Sequence, residues 1–241
     1  MMSEQKNLLV SVVIPVYNEE AMLVASVTEL HAKLLGLGHP FEILVSENGS
    51  KDRTLELARN LETKLPRLRV LHADEPNYGK ALRRGIVEAR GTYVLCDEID
   101  ICDVEFHRRA IEILTSDGAD MVVGSKLHKD SKDERPLGRH LASVVLNGLL
   151  RVFLGFHGTD THGLKAFHRG RLLAVIDRCV VDKDLFASEL VIRTERQKLR
   201  ITEVPITLQE KRPPSINLFR RVPKVLKDLG RLFWVIRVRH R

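Results

Sequence analysis

The chain reads as one α/β domain, a mostly parallel sheet flanked by helices, and three observations carry that expectation. Short β-branched runs alternate with longer segments of helical period. Polar and charged residues gather just after each run. With 241 residues, 44% of them hydrophobic, the chain can bury one sizeable core. In an open sheet of this class ligands bind beyond the carboxyl ends of the strands, so the residues after each run are the ones to read for chemistry.

The runs are VSVVIPV (10–16), FEILVS (41–46), LRVLHA (68–73), TYVLCD (92–97) and ADMVVGS (119–125), with helices expected between them at about 19–35, 53–64, 79–89 and 105–116. Beyond residue 125 the alternation breaks. KLHKDSKDERPLGRH is a charged loop, LASVVLNGLLRVFLGF a helix, and GTDTHGLKAFH a turn leading into a short strand. Helices at about 169–176 and 182–197 and a last strand, RITEVPITL, complete the body. The expected division is a domain over residues 1–215 and a basic amphipathic helix over 216–241.

Strand one ends in IPVYNEE, where Pro15 stops ladder pairing, Tyr17 offers an aromatic face and Glu19 begins a helix. Strand two ends in SENGSKDRT, where Asn48-Gly49 makes a turn and Asp52 caps the helix from Arg53. After strand three, Asn77 and Gly79 permit a tight turn, and Lys80, Arg83 and Arg84 open the next helix. Cations there oppose the helix macrodipole, which points to an anionic ligand such as a diphosphate. Strand four runs into five carboxylates: Asp97, Glu98, Asp100, Asp103 and Glu105. Alternate positions of an extended chain point the same way, so Glu98 and Asp100 converge while Ile99 turns to the core. Two such hard oxygen donors suit Mg²⁺ or Mn²⁺, which takes one or two carboxylates and shares substrate phosphates.

Cys96, Cys102 and Cys179 form no CxxC pair and have no histidines at zinc-finger spacing, so a reducing, cytoplasmic compartment is expected. The opening residues lack the basic start and cleavage site of a signal peptide, and no uncharged apolar stretch reaches the roughly 18 residues of a membrane span. The net charge of +7 is uneven: residues 211–241 hold ten Lys/Arg and one Asp (+9), leaving 29 basic and 31 acidic residues (−2) elsewhere. A near-neutral body with a cationic end fits contact with an anionic surface. The basic charge is not interleaved with stacking aromatics, so nucleic acid is not an expected partner. In the tail Leu218, Val222, Val225, Leu226, Leu229, Leu232, Phe233 and Ile236 recur at three- and four-residue spacing, with basic residues between them and Trp234 near the end. Such a stripe suits either an acyl boundary beneath anionic headgroups or the protein's own core.

IPVYNEE, EILVSENGSKDRT, NYGKALRRGIVEARG, YVLCDEID, ADMVVGSK, DTHGLKAF and ITEVPI follow one another in the order of the inverting glycosyltransferases of family 2, which have the nucleotide-sugar-binding GT-A fold. The chain resembles that family over about residues 8–215. Within it, GSK, DTxxGxK and EVPI together are most similar to the polyprenyl-phosphate sugar synthases, the dolichyl-phosphate mannose and glucose synthase group. The resemblance implies a nucleotide-diphosphate sugar donor of the GDP-mannose or UDP-glucose type, a divalent metal and a polyprenyl-phosphate acceptor. It places Pro15, Tyr17 and Glu19 at the nucleotide, with Glu47 and Asn48 standing where the family has the two Asp residues of Asp-Asp-Gly-Ser. Counted from Gly91, the family's Asp-X-Asp metal motif falls on Glu98-Ile99-Asp100, with Asp97, one place early, as the alternative ligand. It further implies Lys80 at the diphosphate, Ser125 and Lys126 near sugar or acceptor phosphate, and Asp160 and Lys165 facing the reacting sugar. Arg212 matches a basic position after EVPI, whereas residues 213–217, PPSIN, depart from the usual Gly-x-Ser-Lys.

Sugar transfer must stabilise leaving phosphates, for which Glu98, Asp100, Lys80 and Lys126 suffice. A phosphate acceptor is already ionised near neutral pH and needs cations: Lys126, Lys129, Lys132, Arg135 and Arg139 follow strand five. A hydroxyl acceptor would need a base, for which Asp160 is the candidate. The expectation is thus a transferase at the cytoplasmic face of a membrane, peripherally bound. The alternatives are the same fold acting on a glycan or small hydroxyl compound, and a non-catalytic nucleotide-sugar-binding module.

Overall fold

The computed structural model describes residues 10–134, 137–183, 185–208 and 218–238, with the backbone alone at 133, 137, 139, 208 and 218–225. The strands are β1 (Val10–Val16), β2 (Phe41–Asn48), β3 (Leu68–Ala73), β4 (Tyr93–Cys96), β5 (Met121–Ser125), β6 (Lys132–Asp133), β7 (Lys165–His168), β8 (Ile201–Pro205) and β9 (Thr207–Leu208). Seven form one sheet in the order β3-β2-β1-β4-β7-β5-β8, while β6 and β9 pair separately. Every pairing in the large sheet is parallel except those of β7, which lies antiparallel between β4 and β5.

The helices are α1 (Leu23–Gly36), α2 (Thr54–Lys64), α3 (Tyr78–Glu88), α4 (Val104–Thr115), α5 (Leu137–Leu154), α6 (Arg169–Arg178), α7 (Phe186–Arg196) and α8 (Leu218–Phe233), the last continued by a π-helical turn, Trp234–Val238. Side chains alternate along each strand, so the sheet builds two cores. Val12, Ile14, Ile43 and Val45 meet Val27, Leu30, Leu61 and Phe106 of α1, α2 and α4 on one face. Val13, Leu44, Val94 and Val123 meet Leu82, Ile86, Val175 and Leu190 of α3, α6 and α7 on the other. Leu229, Leu232 and Ile236 join this second core, so the middle and end of the C-terminal stripe pack on the protein itself, while Leu226, Phe233 and Trp234 stay exposed.

Strand order reverses at β1, whose neighbours are β2 and β4, and a crevice opens at such a point. Pro15 helps to open it. Residues two apart on a strand face the same neighbour, and Val13 accepts the Asp97 amide, so Pro15 lacks its donor on the side facing β4. Pairing with β4 ends at Val13, but pairing with β2 runs on to Val16. Pro15 therefore stops ladder pairing on the β4 side and leaves the ladder with β2 intact.

Two further boundaries differ. The chain after β4 is not extended: Ile101 and Cys102 donate to the Glu98 carbonyl, making a turn in which Cys102 has φ of 47°. Ile99 does enter the core, but turn geometry, not strand alternation, presents Glu98 and Asp100. Glu19 does not lie in a helix; its carbonyl receives the Met22 and Leu23 amides as α1 starts.

Candidate active site

The five acids after β4 divide by the partners they find. Asp103 caps α4 by accepting the Phe106 amide at 3.0 Å, and Glu105 pairs with Arg108 on the surface. Asp97 is buried, its Oδ1 accepting the amides of Glu98 at 2.7 Å and Cys102 at 3.2 Å. Its Oδ2 lies 2.7 Å from His107 Nε2, a charge-pair distance without the alignment of a hydrogen bond. Glu98 and Asp100 remain partly exposed at the mouth of the crevice. Enclosure by protein first, then the Asp100 charge, raises the Glu98 pKa to about 7, against the pull of Lys126 and Lys165. Tyr78, the first residue of α3, stands beside them with its side chain exposed; crowding of its hydroxyl by surrounding protein and then the Glu98 charge push its phenol well above the usual range.

The second half of the crevice comes from β5, β7 and the segment between α5 and β7. Lys126 Nζ lies 2.9 Å from Asp160 Oδ2, and both side chains are buried. Asp160 also accepts the amides of Lys126 and of His162, at 3.2 and 2.9 Å. Burial alone would raise the Asp160 pKa; the Lys126 charge and these bonds hold it down at about 2. Lys165 Nζ donates to the Gly163 carbonyl at 2.6 Å, and burial lowers its pKa to about 8 although Cys96 and Asp160 oppose that. Ser125 is buried, its hydroxyl shared with Thr159 at 2.6 Å, and Thr159 is held in turn by Glu203. Lys129 and Lys132 are exposed, Arg135 and Arg212 lie outside the described residues, and so does the side chain of Arg139.

At the β1–β2 end Tyr17 is 38% exposed, and the Glu19 amide donates to Thr54 Oγ1. Asp52 accepts the Thr54 amide at 3.0 Å but stands one residue before the N-cap of α2, which is Arg53, so it steadies the approach to the helix and is not the cap the sequence suggested. Glu47 is buried between the Ser50 amide and His72 Nδ1, each 2.5 Å away; burial raises its pKa, yet these bonds outweigh that and lower it. Asn48 ties the crevice together, donating to Val16 and accepting the Asn77 amide. Asn77 caps α3 through the Lys80 amide, leaving the Lys80 side chain exposed. Arg83 and Arg84 do not join it: Arg83 donates to the carbonyls of Asp177 and Cys179, and Arg84 to that of His72. The sequence reading of three anion-seeking cations reduces to one, because the other two fasten α3 to distant carbonyls.

The structure thus gathers Glu98, Asp100, Lys126, Asp160 and Lys165 into one electrostatic cluster. Sequence reasoning missed Tyr78 and His107. Tyr78 carried a usable signal, its place at the start of a helix facing a strand end; His107 lies on an ordinary helical apolar face and carried none.

Among the described residues no group of three or more His, Cys, Asp or Glu side chains converges as an all-protein cation site. Glu98 and Asp100 nonetheless fit a divalent cation that also takes substrate phosphates, since the Asp100 charge disfavours ionised Glu98 and a cation would relieve that.

Residues 11–180 match the model of glycosyl transferase family 2. Glycosyltransferase AglD of Haloferax volcanii is 30% identical over 96% of this chain and 38% of its own length. Dolichyl-phosphate beta-glucosyltransferase ALG5C of Trichomonas vaginalis is 29% identical over 82% of this chain and 63% of its own. The chain therefore spans between about two fifths and just under two thirds of these relatives. Glucosyl-3-phosphoglycerate synthase from Mycobacterium tuberculosis, crystallised with Mn²⁺, UDP and glucosyl-3-phosphoglycerate, shares the fold with a TM-score of 0.67 at 19% identity, over 97% of this chain and 81% of that one. The parallel sheet with its crevice at β1 and β4 is the GT-A fold, and the chain belongs to glycosyl transferase family 2.

Proposed function

We propose that the chain is an inverting, metal-dependent glycosyltransferase that moves a hexose from a nucleotide-diphosphate sugar, of the GDP-mannose or UDP-glucose type, to a polyprenyl phosphate at the cytoplasmic face of a membrane. The observation that carries the reading is the state of Asp160. A carboxylate with a pKa of about 2, bound by Lys126 and two amides, is a poor general base. Lys126 and Lys165 stand beside it, so the site supplies cations where a hydroxyl acceptor would need a base. A phosphate acceptor needs no proton removed: its oxygen attacks the anomeric carbon as the bond to the donor's β-phosphate breaks, and the nucleoside diphosphate leaves.

In this reading Tyr17, Glu19 and the Glu47–Asn48 pair surround the nucleotide, and Lys80 meets the diphosphate. Lys126, Lys165 and the loop cations Lys129, Lys132, Arg135 and Arg139 attract the acceptor phosphate, with Arg212 as a further contact. Ser125 acts through the Thr159 contact that holds its loop. A divalent ion at Glu98 and Asp100 would neutralise charge developing on the leaving diphosphate. A relative in the same family is named for dolichyl phosphate, and a protein of the same fold was crystallised with Mn²⁺ and UDP, which supports both ligand classes.

The membrane part of the reading rests on two helices. Among the described residues no helix is long and apolar enough to cross a bilayer. Leu141, Val145, Val152 and Phe153 of α5 are exposed, as are Leu226, Phe233 and Trp234 of the C-terminal helix, and Phe153 meets Phe233 edge to face at 6.3 Å. Exposed Lys227, Arg231 and Arg237 accompany this apolar surface, an arrangement suited to an anionic lipid interface.

One specific feature favours a hydroxyl acceptor instead, the Glu98 pKa near 7, which suits a base. The two readings separate when labelled nucleotide sugars are supplied with Mn²⁺ and polyprenyl phosphate. Label should become extractable into organic solvent, and Glu98→Ala and Asp100→Ala should each abolish this. Transfer that leaves all label in the aqueous phase would reject the lipid acceptor, and unchanged metal-dependent turnover in both variants would reject the site.

A further inference from the structure

The two carboxylates proposed to hold the cation lie on a turn, not on a strand or helix, so something else must fix their direction. Asp97 does this from behind. Its Oδ1 receives both the first amide of the turn, Glu98, and the last, Cys102, and thereby closes the loop that carries Glu98 and Asp100. Its Oδ2 faces His107 Nε2 at 2.7 Å, and neither side chain has appreciable solvent contact. A buried carboxylate is costly unless it is hydrogen-bonded, and Asp97 accepts two amides while its second oxygen faces His107. His107 in turn is fixed by α4, whose first turn is capped by Asp103. The line Asp103, α4, His107, Asp97 thus runs from helix to turn, and both Asp97 oxygens face inward along it.

We infer that Asp97 and His107 are positioning residues that set the Glu98–Asp100 turn for a divalent cation, and that Asp97 is not itself a ligand. This rests on the metal-dependent reading above. Loss of groups that orient metal ligands typically costs about 10- to 100-fold in metal affinity. His107 Nε2 faces Asp97 Oδ2 and His107 is itself no proposed ligand, so an effect of its removal on cation binding separates positioning from ligation.

The test titrates Mn²⁺ into the full chain with UDP or GDP, reads the free-ion electron paramagnetic resonance signal, and takes Glu98→Ala as background. His107→Ala should weaken Mn²⁺ binding by about 10- to 100-fold. Asp97→Ala should do the same, and the double variant should lose no more than either alone. His107→Gln, which keeps a polar side chain of similar reach behind Asp97, should recover part of the binding, and it carries the test if His107→Ala fails to fold. Thermal unfolding of each variant checks that the fold persists. If Asp97→Ala abolishes binding while both His107 variants match the wild type, Asp97 is a ligand and the inference fails. If wild type, His107 and Asp97 variants all bind alike above background, the inference fails and the metal reading stands. If the wild type does not exceed background with either nucleotide, the metal reading fails and takes the inference with it.

Discussion

Glu98, Lys165 and Asp160 share one crevice, yet their pKa values move in different directions for identifiable reasons. Enclosure and the Asp100 charge raise Glu98 to about 7, and burial lowers Lys165 to about 8. Protonated Glu98 competes with a cation, and neutral Lys165 no longer attracts a phosphate. The pH profile of kcat/KM should therefore be bell-shaped, with limbs near these two values in the free enzyme, and saturating Mn²⁺ should move the acid limb lower. A flat profile from pH 6 to 9 would contradict this assignment. Asp160 behaves oppositely. Its folded pKa of about 2 lies below the 3.8 usual for an aspartate, so its pairing stabilises the fold fully above that value and is lost as pH falls towards 2. The linkage is worth on the order of 2 kcal/mol. Asp160→Asn should abolish this part of the acid limb in urea unfolding and, by leaving Lys126 buried without its partner, cost about 3–5 kcal/mol at neutral pH.

Elements with a strong local period were legible, and those defined by distant partners were not. The runs at β1 and β3 carry their boundaries in their own side chains, and α1 to α4 end within a few residues of where periodicity puts them. The antiparallel insertion of β7 between β4 and β5 could not be read, because a four-residue run does not encode its neighbours. Arg83 and Arg84 misled for the same reason: the carbonyls they bond lie outside α3. Glycine at 49 was legible as a turn, and the structure gives it a second reason. Its φ is +74°, and a Cβ there would lie 2.6 Å from the Asp74 carbonyl oxygen. Gly49→Ala should cost more than the roughly 1–3 kcal/mol of backbone strain alone, read as a lower denaturation midpoint with unchanged m. The C-terminal stripe was legible as amphipathic but not as divided, since only packing decides that Leu232 is buried while Trp234 is exposed. If α5 and α8 together meet lipid, Trp234→Ala and Phe153→Ala should each weaken sedimentation with phosphatidylglycerol vesicles, and salt should weaken it further. Binding indifferent to both substitutions would place the membrane contact elsewhere.

At the scale of the whole molecule, the topology explains why so many polar groups tolerate burial. Strand order reverses at β1, the Pro15 gap releases β4 from it, and the acidic turn fills the opening from one side while the ends of β5 and β7 bring lysines from the other. Acids and cations that would each be unstable in isolation are held a few side chains apart, an arrangement that the two proposed substrates, one bringing a diphosphate and the other a phosphate, would complete. The central claim is that this site serves an acceptor that brings its own negative charge and needs no base. The most direct measurement compares polyprenyl phosphate with the polyprenol of the same chain length, under identical donor and Mn²⁺, by the initial rate of hexose transfer. The account predicts transfer to the phosphate and none detectable to the alcohol. Equal or faster transfer to the alcohol would contradict it.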